Sequence, residues 1–393
     1  MSRSRSALAS ISLTSISLAA LLPISACRGD ESRTADHAAS PPSSPSSPPA
    51  SASAASAAST PGPGYCRRAG TYTAVPLAVP LSGMTGSSLR PANTFSIVAR
   101  DPATGELGVA VQSHWFSVGA SVTWAEPGIG AVATQSFVEP AYGPKGLALM
   151  RGGAAAPDAL KQLLAADASS AVRQVAFVDA QGRVSAHTGA RCIAYAGHHV
   201  GDGYSVQANM MGNDKVVPAM RQAFESAQGD LAERMLAALD AAQAAGGDIR
   251  GCQSAAILIV DGKRTDEPWK ARKIDLRVED SPAPLVELRR LVVLARAYDH
   301  MNQGDLAIER DQIDRALEHY GAAARMVPGN AEMLYWQGIS LAGRGRHAEA
   351  MPVLRKAFEA DPAWIELTRR LPAAQLLDAA AAERIVREAG GGK

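Results

Sequence analysis

The chemistry of this chain begins at a cysteine. Cys27 closes the run Ile24-Ser25-Ala26-Cys27, with a branched apolar residue at −3, small residues at −2 and −1, and then the thiol. That resembles a lipobox, in which the thiol takes a diacylglyceryl group, the chain is cut in front of it, and a further acyl chain caps the new amine. Two or more chains anchor stably where one does not. Arg3 and Arg5 give a positive n-region, and Ala7 to Ile24 is an apolar stretch interrupted by serines and a threonine. It is too short and broken for a spanning helix and fits an export signal over residues 1–26. The expectation is an envelope lipoprotein anchored at Cys27; the alternative is an ordinary signal peptide with a chance cysteine near its cut. Arg28, in place of Asp, favours the outer membrane facing the periplasm if the cell is Gram-negative. Export leaves Cys66, Cys192 and Cys252 in an oxidising compartment, where three thiols form at most one internal pair. Cys192 with Cys252 is the pair expected, because both fall in one predicted domain, although sequence does not fix connectivity. His198-His199 lack the spacing of a zinc site, and no metal or organic cofactor is implied.

The elements that must position any further chemistry follow from composition and pattern. At 393 residues the chain can hold two cores, and 39 basic against 38 acidic residues give no pull toward nucleic acid. Residues 27–64 are nearly all Ser, Ala and Pro beyond the first few, too polar to bury and so expected as a solvated tether. Residues 65–93 have no clear pattern. From Thr94 the chain changes: Thr94–Arg100 alternates like a strand, Asp101-Pro-Ala-Thr-Gly105 is turn chemistry, and Leu107–Gln112 returns as a second strand. Val118–Gln135 reads as strand with a Pro127-Gly128 turn. Leu147–Met150 and Ala159–Ala166 read as helices, Val172–Asp179 and Arg183–Thr188 as a hairpin, and Tyr204–Met210 as a strand. Lys215–Ala227 and Leu231–Ala245 read as amphipathic helices and Ser254–Val260 as a buried strand. Such blocks of strands and helices predict sheets layered between helices rather than regular βαβ units. In the last third, Gly304, Ala316, Tyr320, Ala323 and Pro328 recur 34 positions later as Gly338, Ala350, Leu354, Ala357 and Pro362. That period is the tetratricopeptide signature, over a helical domain of 283–390 with Leu285–Tyr298 and Ala379–Ala389 as caps. Its surface is expected either to hold a protein partner or to pack on the chain's own first domain.

The blocks Thr94–Asp101, Gly105–Val111, Ser113, Gly128–Gln135 and Pro140–Pro144 resemble the bacterial domain of unknown function 1028 family. So do Arg173-Gln174-Val175, Gly201–Gln207, Asn209 and Gly246–Ala256. The resemblance covers roughly 94–278. It implies an α+β fold: a four-layer αββα sandwich of the kind found in N-terminal-nucleophile hydrolases, followed here by the all-α repeats. In that superfamily the first residue of the mature domain is Thr, Ser or Cys, and its own free α-amine takes the proton as the side chain attacks an amide. Thr94 stands where the family's first strand begins and is the implied nucleophile. An acylated nitrogen cannot act as that base, so the chemistry needs a cut between Asn93 and Thr94. The departure from the simplest members is the long extension ahead of Thr94.

Ser113, Gln135, Asn209, Asp248 and Arg250 are the polar residues at predicted strand ends that could join Thr94 at one mouth. Asn or Gln could supply an oxyanion hole, and Asp or Arg could orient the amine. Each has a plain structural alternative, Asp248 as a turn-former beside Gly246-Gly247 above all; His114, next to Ser113, faces the other side of a regular strand, and His187 and His198 are read as structural. Two functions follow: an envelope amidohydrolase acting on a small amide or peptide, or a non-catalytic scaffold that binds partners through the sandwich and repeats.

Overall fold

The computed structural model describes residues 94–390. The expected signal peptide, Cys27, the tether and segment 65–93, with Cys66, lie outside the described residues.

The order of elements is β1 (Thr94–Arg100), β2 (Leu107–Ser113), α1 (Gly119–Val122), β3 (Thr123–Glu126), β4 (Gly130–Ser136), α2 (Tyr142–Arg151), α3 (Ala156–Ala166), β5 (Arg173–Asp179) and β6 (Val184–Thr188). Next come β7 (Gly197–Gly201), β8 (Tyr204–Ala208), α4 (Val216–Ser226), α5 (Leu231–Ala244), β9 (Ser254–Val260) and β10 (Arg272–Val278). The helical part holds α6 (Pro284–Glu309), α7 (Ile313–Met326), α8 (Ala331–Gly343), α9 (His347–Ala360), α10 (Ala363–Arg370) and α11 (Ala379–Ala389). A six-stranded antiparallel sheet runs β10-β9-β2-β1-β8-β7, and a four-stranded one runs β3-β4-β5-β6.

Period-two alternation sorts the layers. Phe95, Ile97 and Ala99 of β1 face α4 and α5, together with Val206 of β8 and Ile257 of β9. Val98, Val109, Leu258, Ala131 and Val178 fill the space between the two sheets. Val132, Val175 and Phe177 turn the other way, onto Leu147, Met150 and Leu160 of α2 and α3. The result is the expected αββα stack. Two strands were hidden from the sequence: β7, whose Gly-His-His-Val-Gly has no apolar alternation, and the charged edge strand β10. Within 118–135, the first residues coil into α1 instead of extending.

The helical part obeys the repeat signature. A β-carbon at Gly304 would lie 2.4 Å from the Tyr320 ring, and one at Gly338 would lie 2.5 Å from Leu354. The small residue thus lets each helix pair close to contact. Leu285–Tyr298 is not a separate cap: it is the first half of the 26-residue α6, which runs unbroken into the first repeat because no Gly or Pro interrupts it until Gly304. Leu285, Leu288 and Val292 of α6 complete the core under α5, while Ala297, Met301 and Ala307 belong to the core with Tyr320. Arg289 pairs with Glu233 and Asp240, and Arg296 with Asp230 and Glu233, clamping α6 to α5.

Candidate functional site

All the strand ends that carry expected site residues meet at one edge. In register, Thr94 opens β1 opposite Ser113 at the end of β2, and Ser113 faces Ser254 at the start of β9. Ser136 at the end of β4 pairs with Arg173, Gln174 with Thr188, and Gly197 with Ala208. The same alternation that buries Val98 between the sheets turns Ser96 and Thr94 into that space. Gln135, Gln174, Gln207 and Asn209 share it. The gap between the sheets is therefore apolar at one end and polar at the end where Thr94 begins.

That polar end is one directed hydrogen-bond network. Gln174 donates through Nε2 to the Gly197 and Ala208 carbonyls at 3.1 and 2.9 Å and to Thr188 Oγ1 at 2.9 Å. Carbonyls demand a donor, so Gln174 Oε1 must face the other way, where it accepts from Gln135 Nε2 at 2.7 Å and Asn209 Nδ2 at 2.8 Å. Gln135 Nε2 also reaches the Thr94 carbonyl at 3.2 Å, while its Oε1 accepts from Ser96 Oγ at 2.5 Å. Gln207 Nε2 donates to Ser96 Oγ at 2.6 Å, and Ser205 Oγ donates to Gln207 Oε1 at 2.9 Å. Every one of these side chains except Thr188 is fully buried.

Thr94 is fully buried too; its Oγ1 donates to Ser113 Oγ at 3.3 Å, and its carbonyl accepts from the Asn209 amide at 3.1 Å. Asn209 Oδ1 is buried without a hydrogen-bond partner, an open acceptor on the residue that grips Thr94. Ser117, Ser136 and Met210 adopt left-handed backbone with φ of 56°, 70° and 56°; Ser136 ends β4, Met210 lies just past β8, and Ser117 lies in the loop after β2. Strain of that kind collects where loops are held for function.

Of the expected residues, Thr94, Ser113, Gln135 and Asn209 come together. Asp248 and Arg250 stand at the same edge but are occupied with each other. Asp248 takes Arg250 Nη2 at 2.7 Å and the Arg250 amide at 2.9 Å, and also the His114 amide at 3.3 Å. Asp248 therefore shapes its own turn and ties the 246–250 loop to the end of β2. The expected Cys192–Cys252 disulfide is not formed: Cys192 is a free thiol, and Cys252 is disulfide-bonded to a partner outside the described residues. Membership of one predicted domain was a poor guide, because Cys192 lies on the β6–β7 loop whereas Cys252 lies just ahead of β9.

Sequence reading missed the other half of the network: Ser96, Gln174, Gln207, Thr188 and His198. The signal was available, since each Gln interrupts an otherwise apolar strand one or two residues from its end. Thr188 and His198 also line a cleft of about 680 Å³, with Cys192, Tyr195, Met211 and Asp214. Thr188 Oγ1, 2.9 Å from Gln174 Nε2, also shares a hydrogen bond with His198 Nδ1 at 2.8 Å. Desolvation by the crowded protein side of the ring, then His187 and His199, hold His198 below the usual imidazole range. Burial pushes the Cys192 thiol up, so it stays protonated and is a poor nucleophile at neutral pH.

A titration follows from this geometry. The His198 imidazole is expected to titrate below the ordinary value of about 6.5, and with Thr188 donating to Nδ1, which favours the neutral ring, Thr188→Val is expected to raise it. Since the folded value is depressed, the stabilising contribution is complete above the unfolded value and is lost as pH falls through the folded one. An NMR titration of wild type and variant checks both; a Thr188→Val value unchanged or lower contradicts donation from Thr188 to Nδ1.

Comparisons with known proteins fit this division of the chain. The model described as "Family of unknown function (DUF1028)" matches residues 94–288, and a tetratricopeptide repeat model matches 301–363. Protein SPO2555 from Silicibacter pomeroyi, a solved structure of the DUF1028 family model, is 30% identical over 51% of this chain and 88% of its own, with a TM-score of 0.46. No curated protein matches the chain.

Proposed function

We propose, on the premise that this chain belongs to the DUF1028 family and ends in tetratricopeptide repeats, that its sandwich is an amidohydrolase working through Thr94. One observation carries the reading: the first residue of β1 turns its hydroxyl into the polar end of the inter-sheet space, onto Ser113 Oγ at 3.3 Å. In the reaction, Thr94 Oγ1 adds to the carbonyl carbon of an amide, and its proton passes to the Thr94 α-amine. The amine returns that proton to the leaving nitrogen as the C–N bond breaks, leaving an ester on Oγ1. Water, deprotonated by the same amine, then hydrolyses the ester. Asn209 Oδ1, the open buried acceptor, is suited to hold the amine through one N–H so that its lone pair faces Oγ1. Ser113 fixes the rotamer of the attacking hydroxyl. No metal or organic cofactor takes part.

This mechanism makes the uncut chain inactive. Thr94 nitrogen is then an amide, and the residue is fully buried. Cleavage between Asn93 and Thr94 is the activating step. The substrate is a small amide or peptide, and the enzyme works at the envelope from a lipid anchor at Cys27. N-terminal sequencing with intact mass of protein from its native envelope tests the reading: a species starting at Thr94 is expected, and finding only longer chains sinks it. The repeats carry a second, compatible role. Exposed Tyr298 and Leu306 on the repeat half of α6 leave apolar surface for a protein partner.

A further inference from the structure

The chemistry at Thr94 makes no use of the cleft beside it, and the lining of that cleft is one-sided in charge. Its floor is apolar: Met211 and Val216 are buried there, with Val217 half-buried beside them. Cys192 and His198 line it as well, and exposed Tyr195 and Asp214 stand at its opening. Burial keeps the Cys192 thiol protonated, and desolvation favours the neutral His198 ring. Asp214 makes no ion pair among the described residues. Arg191 and Lys215, close to the lining in sequence, are exposed and stand outside it. At neutral pH the lining therefore presents one formal charge, a carboxylate, over an apolar floor.

The cleft is within reach of Thr94. Gly197, which lines it, stands in register with Ala208, and Ala208 with Phe95, the residue after Thr94. Two inter-strand steps of about 4.8 Å put Gly197 roughly 10 Å from Phe95. Extended chain advances about 3.3–3.6 Å per residue, so that gap is about three residues of peptide. A residue with a long side chain covers it in fewer. Gln174 joins the two places: its Nε2 donates to Thr188 Oγ1 and the Gly197 carbonyl on the cleft. Its Oε1 accepts from Asn209, whose amide holds the Thr94 carbonyl. A side chain with an apolar stem and a positive end satisfies both parts of the lining. Its methylenes cover Met211 and Val217 while the cation meets Asp214. An anionic end meets like charge, and a short polar side chain leaves the floor wet.

We propose that this cleft is the specificity pocket of the Thr94 site and takes a lysine- or arginine-like cationic side chain of the amide substrate, paired with Asp214. Its place in catalysis rests on the reading of Thr94 given above; its binding preference does not. Solvent screens a pair made with an exposed carboxylate, so the preference over a neutral side chain of the same length is about three- to tenfold.

Calorimetric binding to the full-length protein tests this with three probes blocked at both ends: N-acetyl-lysinamide, N-acetyl-norleucinamide and the N-acetyl α-amide of glutamate. They share a backbone and differ in the side chain. The lysine probe is expected to bind about three- to tenfold more tightly than the norleucine probe, with the glutamate probe weakest. It is also expected to move the His198 imidazole resonance. Asp214→Asn is expected to bring the lysine probe to the norleucine level, and Asp214→Lys to put the glutamate probe ahead. Equal binding of the lysine and norleucine probes, no saturable binding of any, a still His198 resonance, or a lysine preference that survives Asp214→Asn overturns the proposal. Thr94→Ala is expected to keep the preference, so absence of a Thr94 amino terminus fails the Thr94 chemistry alone. Conversely, a chain starting at Thr94 that cleaves lysyl, norleucyl and glutamyl amides with equal kcat/KM overturns the pocket and leaves the nucleophile standing.

Discussion

Thr94→Ala is expected to abolish turnover of any amide that the wild-type protein is found to cleave, a drop of roughly a thousandfold or more. The size follows from what is lost. Alanine leaves no atom to form the ester, and the Cys192 thiol, held protonated by burial, is a poor replacement nucleophile. The hydrogen bond from Thr94 Oγ1 to Ser113 Oγ at 3.3 Å is worth about 1 kcal/mol, so the alanine variant is expected to remain folded. Thr94→Ser keeps the hydroxyl and is expected to keep measurable turnover. Comparing the two by initial rates and by thermal midpoint separates chemistry from stability. Full activity in the alanine variant would move the nucleophile elsewhere. Where the chain cuts itself, the alanine variant also accumulates uncut, so the same preparation run on a reducing gel shows whether Thr94 makes the cut.

The second large effect is on stability. Gln174→Leu is expected to cost roughly 3–5 kcal/mol, since each buried polar group left without a partner costs about 1–3 kcal/mol. Leucine fills similar volume, but it takes the donor from the Gly197 and Ala208 carbonyls and from Thr188 Oγ1, and the acceptor from Asn209 Nδ2. The Ala208 carbonyl and Asn209 Nδ2 lie buried between the sheets, while Thr188 and Gly197 border the cleft. Urea unfolding followed by fluorescence measures the loss. A cost under about 1 kcal/mol would mean that the network is solvated or rearranges freely. The equivalent change at a surface amide such as Gln181 serves as the control.

Strand positions were legible where the residue pattern was one-sided or wholly apolar: β1, β2 and β9 stand within a residue of where alternation and turn chemistry put them. The convergence of Thr94, Ser113, Gln135 and Asn209 followed from the family resemblance and from strand-end reasoning. Long-range pairing escaped. Nothing local distinguishes Gln174, which organises the site, from Gln112, equally buried on the opposite face of β2 with neither amide atom bonded. Their difference is which carbonyls the neighbouring sheet presents, and sequence does not show that. Asp248 misled for the same reason: a carboxylate near a mouth reads as chemistry until its arginine two residues on is seen to hold it. The cysteine pairing failed because it was judged by domain membership, while disulfides depend on which strand ends are near in space.

The helix shared by both cores has a last consequence. α6 is 26 residues long, about 39 Å at 1.5 Å per residue, with one half seated under α5 and the other under Tyr320. Such a rod transmits phase as well as length. Each residue added near its middle would turn the repeats by about 100° relative to the sandwich mouth and push them about 1.5 Å further away. A partner carried on the repeats therefore meets the mouth of the sandwich at one bearing, set by the count of residues in a single helix.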